Sequence, residues 1–204
     1  METIEVFGDL CCPFTHVGLR RLVERRLALG RTEVVIRVRA WPLELVNGAP
    51  LDPVMIGEEV DELRSQVAPD LFTNFQPSHF PSSSLPGLML AAAAYDHRLE
   101  LGEEISLALR TALFEQGRDI ADPAVLHGIA DAAGLELSSQ DARDKVTADW
   151  TDGKRRGVIG SPHFFVRDQG FFCPSLDISR IDGHLRITSD RDTLDEFLKL
   201  ALGV

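Results

Sequence analysis

Residues 4–18 read IEVFGDLCCPFTHVG, and the succession of strand, cysteine, proline and helix within them decides the fold. IEVFGDL (residues 4–10) is apolar and β-prone with a polar break near its end, the pattern of a buried strand. Pro13 then opens a helix, because the first helical turn has no use for the N–H that proline lacks. Val17, Leu19, Leu22, Val23, Leu27 and Leu29 recur at helical spacing, and Gly30 stands where a C-cap is wanted. VVIRVRAWPL (residues 34–43) is a second, β-branched strand. Strand, helix and strand in this order make a βαβ unit, which requires parallel pairing and a right-handed crossover.

Beyond this unit the character of the chain changes. Helical patterns dominate residues 53–67, 88–100, 103–117, 122–134 and 138–157, with Asp122 and either Ser138 or Ser139 as N-caps. A loop rich in Pro and Ser (residues 76–87) interrupts them. With Phe75, Phe80 and Leu85 in or beside it, it reads as a solvent-exposed connector, a wall of a substrate cleft being the alternative. Extended character returns in HFFV (163–166) and FFC (171–173), with RDQG as the turn between them, which sets Cys173 opposite Phe164. LRIT (185–188) adds one more extended piece, and residues 190–202 form an amphipathic helix capped by Asp190 or Asp192. The expected class is α/β: a βαβ part (1–50), an inserted all-helical part (51–155) and a ββα part (156–204).

The chain of 204 residues carries a formal net charge of -11, which argues against nucleic acid or an anionic membrane as a partner. Arg20, Arg21, Arg25 and Arg26 read as a solvated helix face. No apolar run approaches the ~20 residues of a membrane span, and Met1 leads into the strand without the regions of a signal peptide. Three cysteines are too few for a stapled secreted scaffold, so the expected location is cytoplasmic, with reduced thiols. No paired ligand spacing joins the cysteines and histidines, so no metal is expected.

Cys12 is where the chemistry concentrates. Backbone N–H groups and the dipole at a helix start favour a negative charge, so a thiol there is expected to ionise more readily. Thr15, one turn on, is placed to donate to that thiolate, and His16, at i+4, to serve as cation or proton shuttle. Cys11 reads as packed, since adjacent cysteines rarely bridge each other. The second feature is GSPHFFV (160–166). An ordinary trans proline opening a strand is the commoner outcome for Ser161-Pro162, while a cis bond would turn the Ser161 backbone toward the end of the first strand.

Asp9-x-x-Cys12-Pro13, Ser161-Pro162 and the order of elements together resemble the DsbA-like branch of the thioredoxin superfamily. That branch includes FrnE-type oxidoreductases, kappa-class glutathione transferases and 2-hydroxychromene-2-carboxylate isomerases. The resemblance implies a thioredoxin fold, Cys12 as nucleophile and Pro162 as the cis-proline opposite it, with Pro13, Phe14 and Ser161 meeting substrate. This chain departs from the dithiol members in having Thr15 where they hold a resolving cysteine. A disulfide at Cys12 then has no neighbour within CPFT to attack it, so turnover falls to an external thiol, to Cys11 or to Cys173. The first expectation is a single-cysteine thiol–disulfide oxidoreductase with no tightly bound cofactor. Glutathione or mycothiol is the candidate co-substrate, a protein or small-molecule disulfide the partner, and the state monomer or homodimer. A thiol-dependent isomerase or transferase is the second expectation, and a non-catalytic binding protein on the same fold the third.

Overall fold

The computed structural model describes residues 3–135, 140–182 and 184–203. Strand β1 (Thr3–Gly8) lies between β2 (Val35–Ala40) and β3 (His163–Val166), and β4 (Gln169–Phe172) completes a sheet of order β2-β1-β3-β4. β1 and β2 pair in parallel from Thr3↔Val35 to Gly8↔Ala40, joined through helix α1 (Pro13–Ala28). β3 runs antiparallel to β1, with Phe7 opposite His163, and β4 antiparallel to β3. This is the thioredoxin fold in its βαβ and ββα halves, with helices inserted between β2 and β3.

The insertion comprises α2 (Leu43–Asn47), α3 (Pro53–Gln66), α4 (Leu85–His97), α5 (Leu99–Arg110), α6 (Pro123–Ala132) and α7 (Gln140–Arg155). Helix α5 widens into a π turn at Thr111–Glu115. Pro and a capping carboxylate start several helices: Asp52 accepts from the Val54 N–H and Asp122 from the Ala124 N–H. The cap expected at Ser138 or Ser139 lies outside the described residues. After β4 come a separate hairpin, β5 (Leu176–Ile181) and β6 (His184–Ser189), and α8 (Arg191–Leu202), capped by Asp190.

Two departures from expectation have local causes. LRIT has a full partner strand, LDISRI, which carries no alternating apolar signature because only Leu176 of it is buried. The β3–β4 turn is also tighter than expected, with Val166 paired to Gln169 across Arg167 and Asp168. Arg167 adopts φ 55°, so the reversal takes two residues rather than four. Cys173 therefore stands opposite Pro162, whose carbonyl accepts its N–H at 3.0 Å, and not opposite Phe164.

β2 is an edge strand, and the insertion covers that edge with side chains. The N–H of Ile36 donates to Glu103 (2.7 Å), that of Val38 to the Tyr95 hydroxyl (2.8 Å) and that of Ala40 to Asp149 (3.1 Å). Tyr95 in turn donates to the Ile36 carbonyl. Alternate N–H groups of an edge strand point outward, and each meets a partner from α4, α5 or α7. Arg26, read as part of a solvated face, pairs instead with the nearly buried Glu103. One apolar cluster joins Leu10, Val17 and Ala40 of the βαβ part to Val60, Leu88, Ile105 and Val146 of the insertion, and to Cys173 and Ile187 beyond it.

Candidate active site

Cys12 is the N-cap of α1, in extended conformation (φ -82°, ψ 115°), with Pro13 in the first turn. Its sulfur donates to the Ser161 carbonyl at 3.1 Å, and the Ser161-Pro162 bond that follows is cis. The Ser161 Oγ accepts the Asp9 N–H at 2.9 Å and lies 2.7 Å from the Thr15 Oγ1. Since that oxygen already accepts from Asp9, its own proton is available to Thr15 or to the sulfur. Gly8 makes room for this group: a Cβ there would come within 2.8 Å of the Thr15 methyl. Cys12, Thr15 and Ser161 thus converge from the two halves of the fold.

The electrostatics correct one expectation. Cys12 is 3% exposed, and burial holds its pKa above the ordinary thiol value. The Thr15 hydroxyl and N–H and the Ser161 hydroxyl pull it down, and Glu59 adds to the upward push. The helix start supplies donors, as expected, but taking the sulfur out of water outweighs them. Cys12 rests as a thiol.

Cys11 packs in the core, its pKa pushed well up by burial and by Asp9. Cys173 is also buried, adopts φ 44°, and is pushed up to about 12 by burial and by the repulsion its thiolate would meet from an ionised Cys12. His16 differs from the expected shuttle. Its Nε2 is taken up by Glu115 at 2.7 Å, its ring packs against Phe72 and Phe114, and burial lowers its pKa. Burial pushes Glu115 upward, but His16 and the N–H groups of Phe72 and Thr73 outweigh it and bring the carboxyl down to about 2. His16 therefore ties α1 to the insertion.

A cavity of about 400 Å³ opens beside the sulfur, lined by Cys12, Phe14, Leu51, Met55, Glu59 and Ser161 among others. Its far wall is the segment from Pro50 to Glu59, which takes the place foreseen as an alternative for residues 76–87. There, Phe80 is buried and Phe75 and Leu85 pack on the core. A cavity of about 460 Å³ between α1 and α8 contains no cysteine.

Sequence reasoning missed several supports of the site. Asp9 is buried, and its carboxylate accepts from the N–H of Cys11 (2.7 Å), the N–H of Leu43 (2.6 Å) and the Ser84 hydroxyl (3.0 Å). It fixes the turn into α1 against the starts of α2 and α4. Arg110, fully buried, donates to the Asp9 carbonyl at 3.1 Å and to Ser106 at 2.7 Å. Burial lowers its pKa to about 10, which leaves it cationic at neutral pH. The Asp9-x-x-Cys12 motif held a signal for Asp9; Arg110, Glu115 and Glu59 had none nearby in sequence. Among the described residues no group of acidic, His and Cys side chains could hold a metal ion, and no helix is long and apolar enough to cross a membrane.

Comparison with solved structures places the chain near three named proteins. It is similar to a probable DsbA oxidoreductase from Streptomyces coelicolor, at 19% identity and TM-score 0.67, covering 100% of this chain and 91% of the other. The cytosolic disulfide reductase DsbM from Pseudomonas aeruginosa, in its structure with GSH, matches at 18% identity and TM-score 0.60 over 99% and 100%. A 2-hydroxychromene-2-carboxylate isomerase matches at 16% identity and TM-score 0.62 over 83% and 88%. At such identities these likenesses establish a common fold. No curated protein matches. The model of the DSBA-like thioredoxin domain, however, matches residues 3–186, nearly the whole chain, and the chain belongs to that family.

Proposed function

We propose that this protein is a thiol–disulfide oxidoreductase working through Cys12 alone as nucleophile. The observation that carries the reading is the position of the Cys12 sulfur, at a helix start beside an open cleft and within reach of the Thr15 and Ser161 hydroxyls. In the first step the Cys12 thiolate attacks one sulfur of a bound disulfide. The substrate S–S bond breaks, a Cys12–substrate disulfide forms, and the other sulfur leaves as a thiolate that takes up a proton. Once Cys12 is in that disulfide its S–H is gone, and the Ser161 carbonyl is released to accept an N–H from the substrate. Pro13, Phe14 and Pro162 shape the contact around it.

A second thiol then resolves this disulfide. An external thiol attacks the substrate sulfur and frees the Cys12 thiolate, whereas Cys173 would attack the Cys12 sulfur, expel the substrate thiolate and leave a Cys12–Cys173 disulfide for an external thiol to reduce. Position 15 is a threonine, so the second thiol is an external one, glutathione or mycothiol, or else Cys173. The fold neighbour with GSH supports the first source. Cys173 beside Pro162 supports the second. Three free, buried cysteines suit the reducing cytoplasm.

A thiol-dependent isomerase is the second reading, favoured by the hydroxyl pair of Thr15 and Ser161 beside a Cys12 that rests protonated. Such a pair suits the holding of a cofactor thiolate. The test is mass spectrometry after treatment with 2-hydroxyethyl disulfide. We expect one adduct on Cys12, released by added glutathione and lost in Cys12→Ser. An adduct confined to Cys173, or none, overturns the oxidoreductase reading.

A further inference from the structure

Helix α3 presents to the cleft a carboxylate that the exchange chemistry does not use. Glu59 lines the same cavity of about 400 Å³ as the Cys12 sulfur, and it is half-buried there. It takes part in no hydrogen bond among the described residues; the charge that reaches it is that of Arg180 on β5. Asp52, at the start of α3, lies on the same wall, with one oxygen occupied by the Val54 N–H. Neither lysine nor arginine stands among the residues lining the cavity. The wall facing the nucleophile is therefore apolar at Leu51, Met55 and Ile56 and acidic at Glu59 and Asp52.

Burial brings the Glu59 carboxyl up to about 6, so it is largely ionised at neutral pH. In that state its charge opposes formation of the Cys12 thiolate. A cation brought beside Glu59 relieves both costs together: it pairs a partly desolvated carboxylate and removes the repulsion at the sulfur.

Building on the exchange reaction proposed above, we propose that Glu59 selects disulfides carrying a cationic group close to the sulfur, such as an ammonium or a neighbouring Lys or Arg, over net-anionic ones. The step keeps its balance: the Cys12 sulfur and the departing sulfur exchange places in one disulfide. The substrate cation stays bound through the attack and is shed with the adduct when a second thiol resolves it.

The test compares three small disulfides on the intact protein at neutral pH: cystamine (cationic), 2-hydroxyethyl disulfide (neutral) and oxidised glutathione (anionic). The rate of adduct formation at Cys12 is divided by the rate of each reagent with free cysteine at the same pH. We expect cystamine to exceed the neutral reagent by about fivefold, the scale of one partly exposed ion pair, and oxidised glutathione to fall below it. Glu59→Gln, close to isosteric, should bring the three corrected rates together. Raising the salt concentration should do the same in the unaltered protein, since exposed charges are screened within about 10 Å at 0.1 M. Equal corrected rates in the unaltered protein, or a preference that survives Glu59→Gln, overturn this selection while leaving the exchange reaction standing. Failure of all three reagents at Cys12 overturns the exchange reaction and the selection with it.

Discussion

At the scale of the residue, the site is a contest over one sulfur. Burial holds Cys12 as a thiol, while Thr15 and Ser161 offer the donors a thiolate needs. The sign of their effect is fixed by which form they bind. A donor to the thiolate lowers the pKa, so removing it raises the pKa and shrinks the reactive fraction at neutral pH. Thr15→Val and Ser161→Ala should each raise the apparent pKa of Cys12 by about one unit, or ~1.4 kcal/mol. The measurement is the pH dependence of the alkylation rate of Cys12, whose rise should move to higher pH in both variants. A profile unchanged in both would mean that neither hydroxyl reaches the thiolate. Gly8 belongs to the same contest, because any side chain there presses on the Thr15 methyl.

At the scale of the element, the unit β1–α1–β2 was legible because everything that makes it is local: β-branched runs, a proline at a helix start, a glycine at its end. β5 was not, because five of its six residues are only half-buried or exposed and leave no alternating pattern. The site divides in the same way. Cys12, Thr15, Ser161 and Pro162 stood out in short motifs. Arg110 and Glu115 enter from 101 and 99 residues away, across contacts that no spacing encodes. The edge of β2 shows how such long-range pairing fixes an element. Tyr95 both accepts from the Val38 N–H and donates to the Ile36 carbonyl, so Tyr95→Phe strands two backbone groups at once. We expect that change to cost about 2 kcal/mol in urea unfolding, with the slope unaltered. A loss under about 0.5 kcal/mol, the range of an ordinary surface substitution, would mean that water replaces the hydroxyl there.

At the scale of the whole molecule, the inserted helices share their apolar core with the strands they interrupt. Taking the insertion away would strip cover from Leu10, Val17 and Ala40 and uncap β2. The chain should therefore unfold in one cooperative transition, with calorimetric and van't Hoff enthalpies equal, and residues 51–155 expressed alone should not fold. Two resolved transitions would show that the parts are held separately.

The turn of Arg167 and Asp168 determines where Cys173 falls. One residue added to it would slide the chain that follows by a single step along β3. Because neighbouring side chains on a strand face opposite ways, the second sulfur would then swing to the far side of the sheet. Cys12 would stay where it is. The turn thus acts as a setting separate from the nucleophile, and a single inserted codon should carry Cys173 away from Pro162 while leaving every letter of CPFT in place.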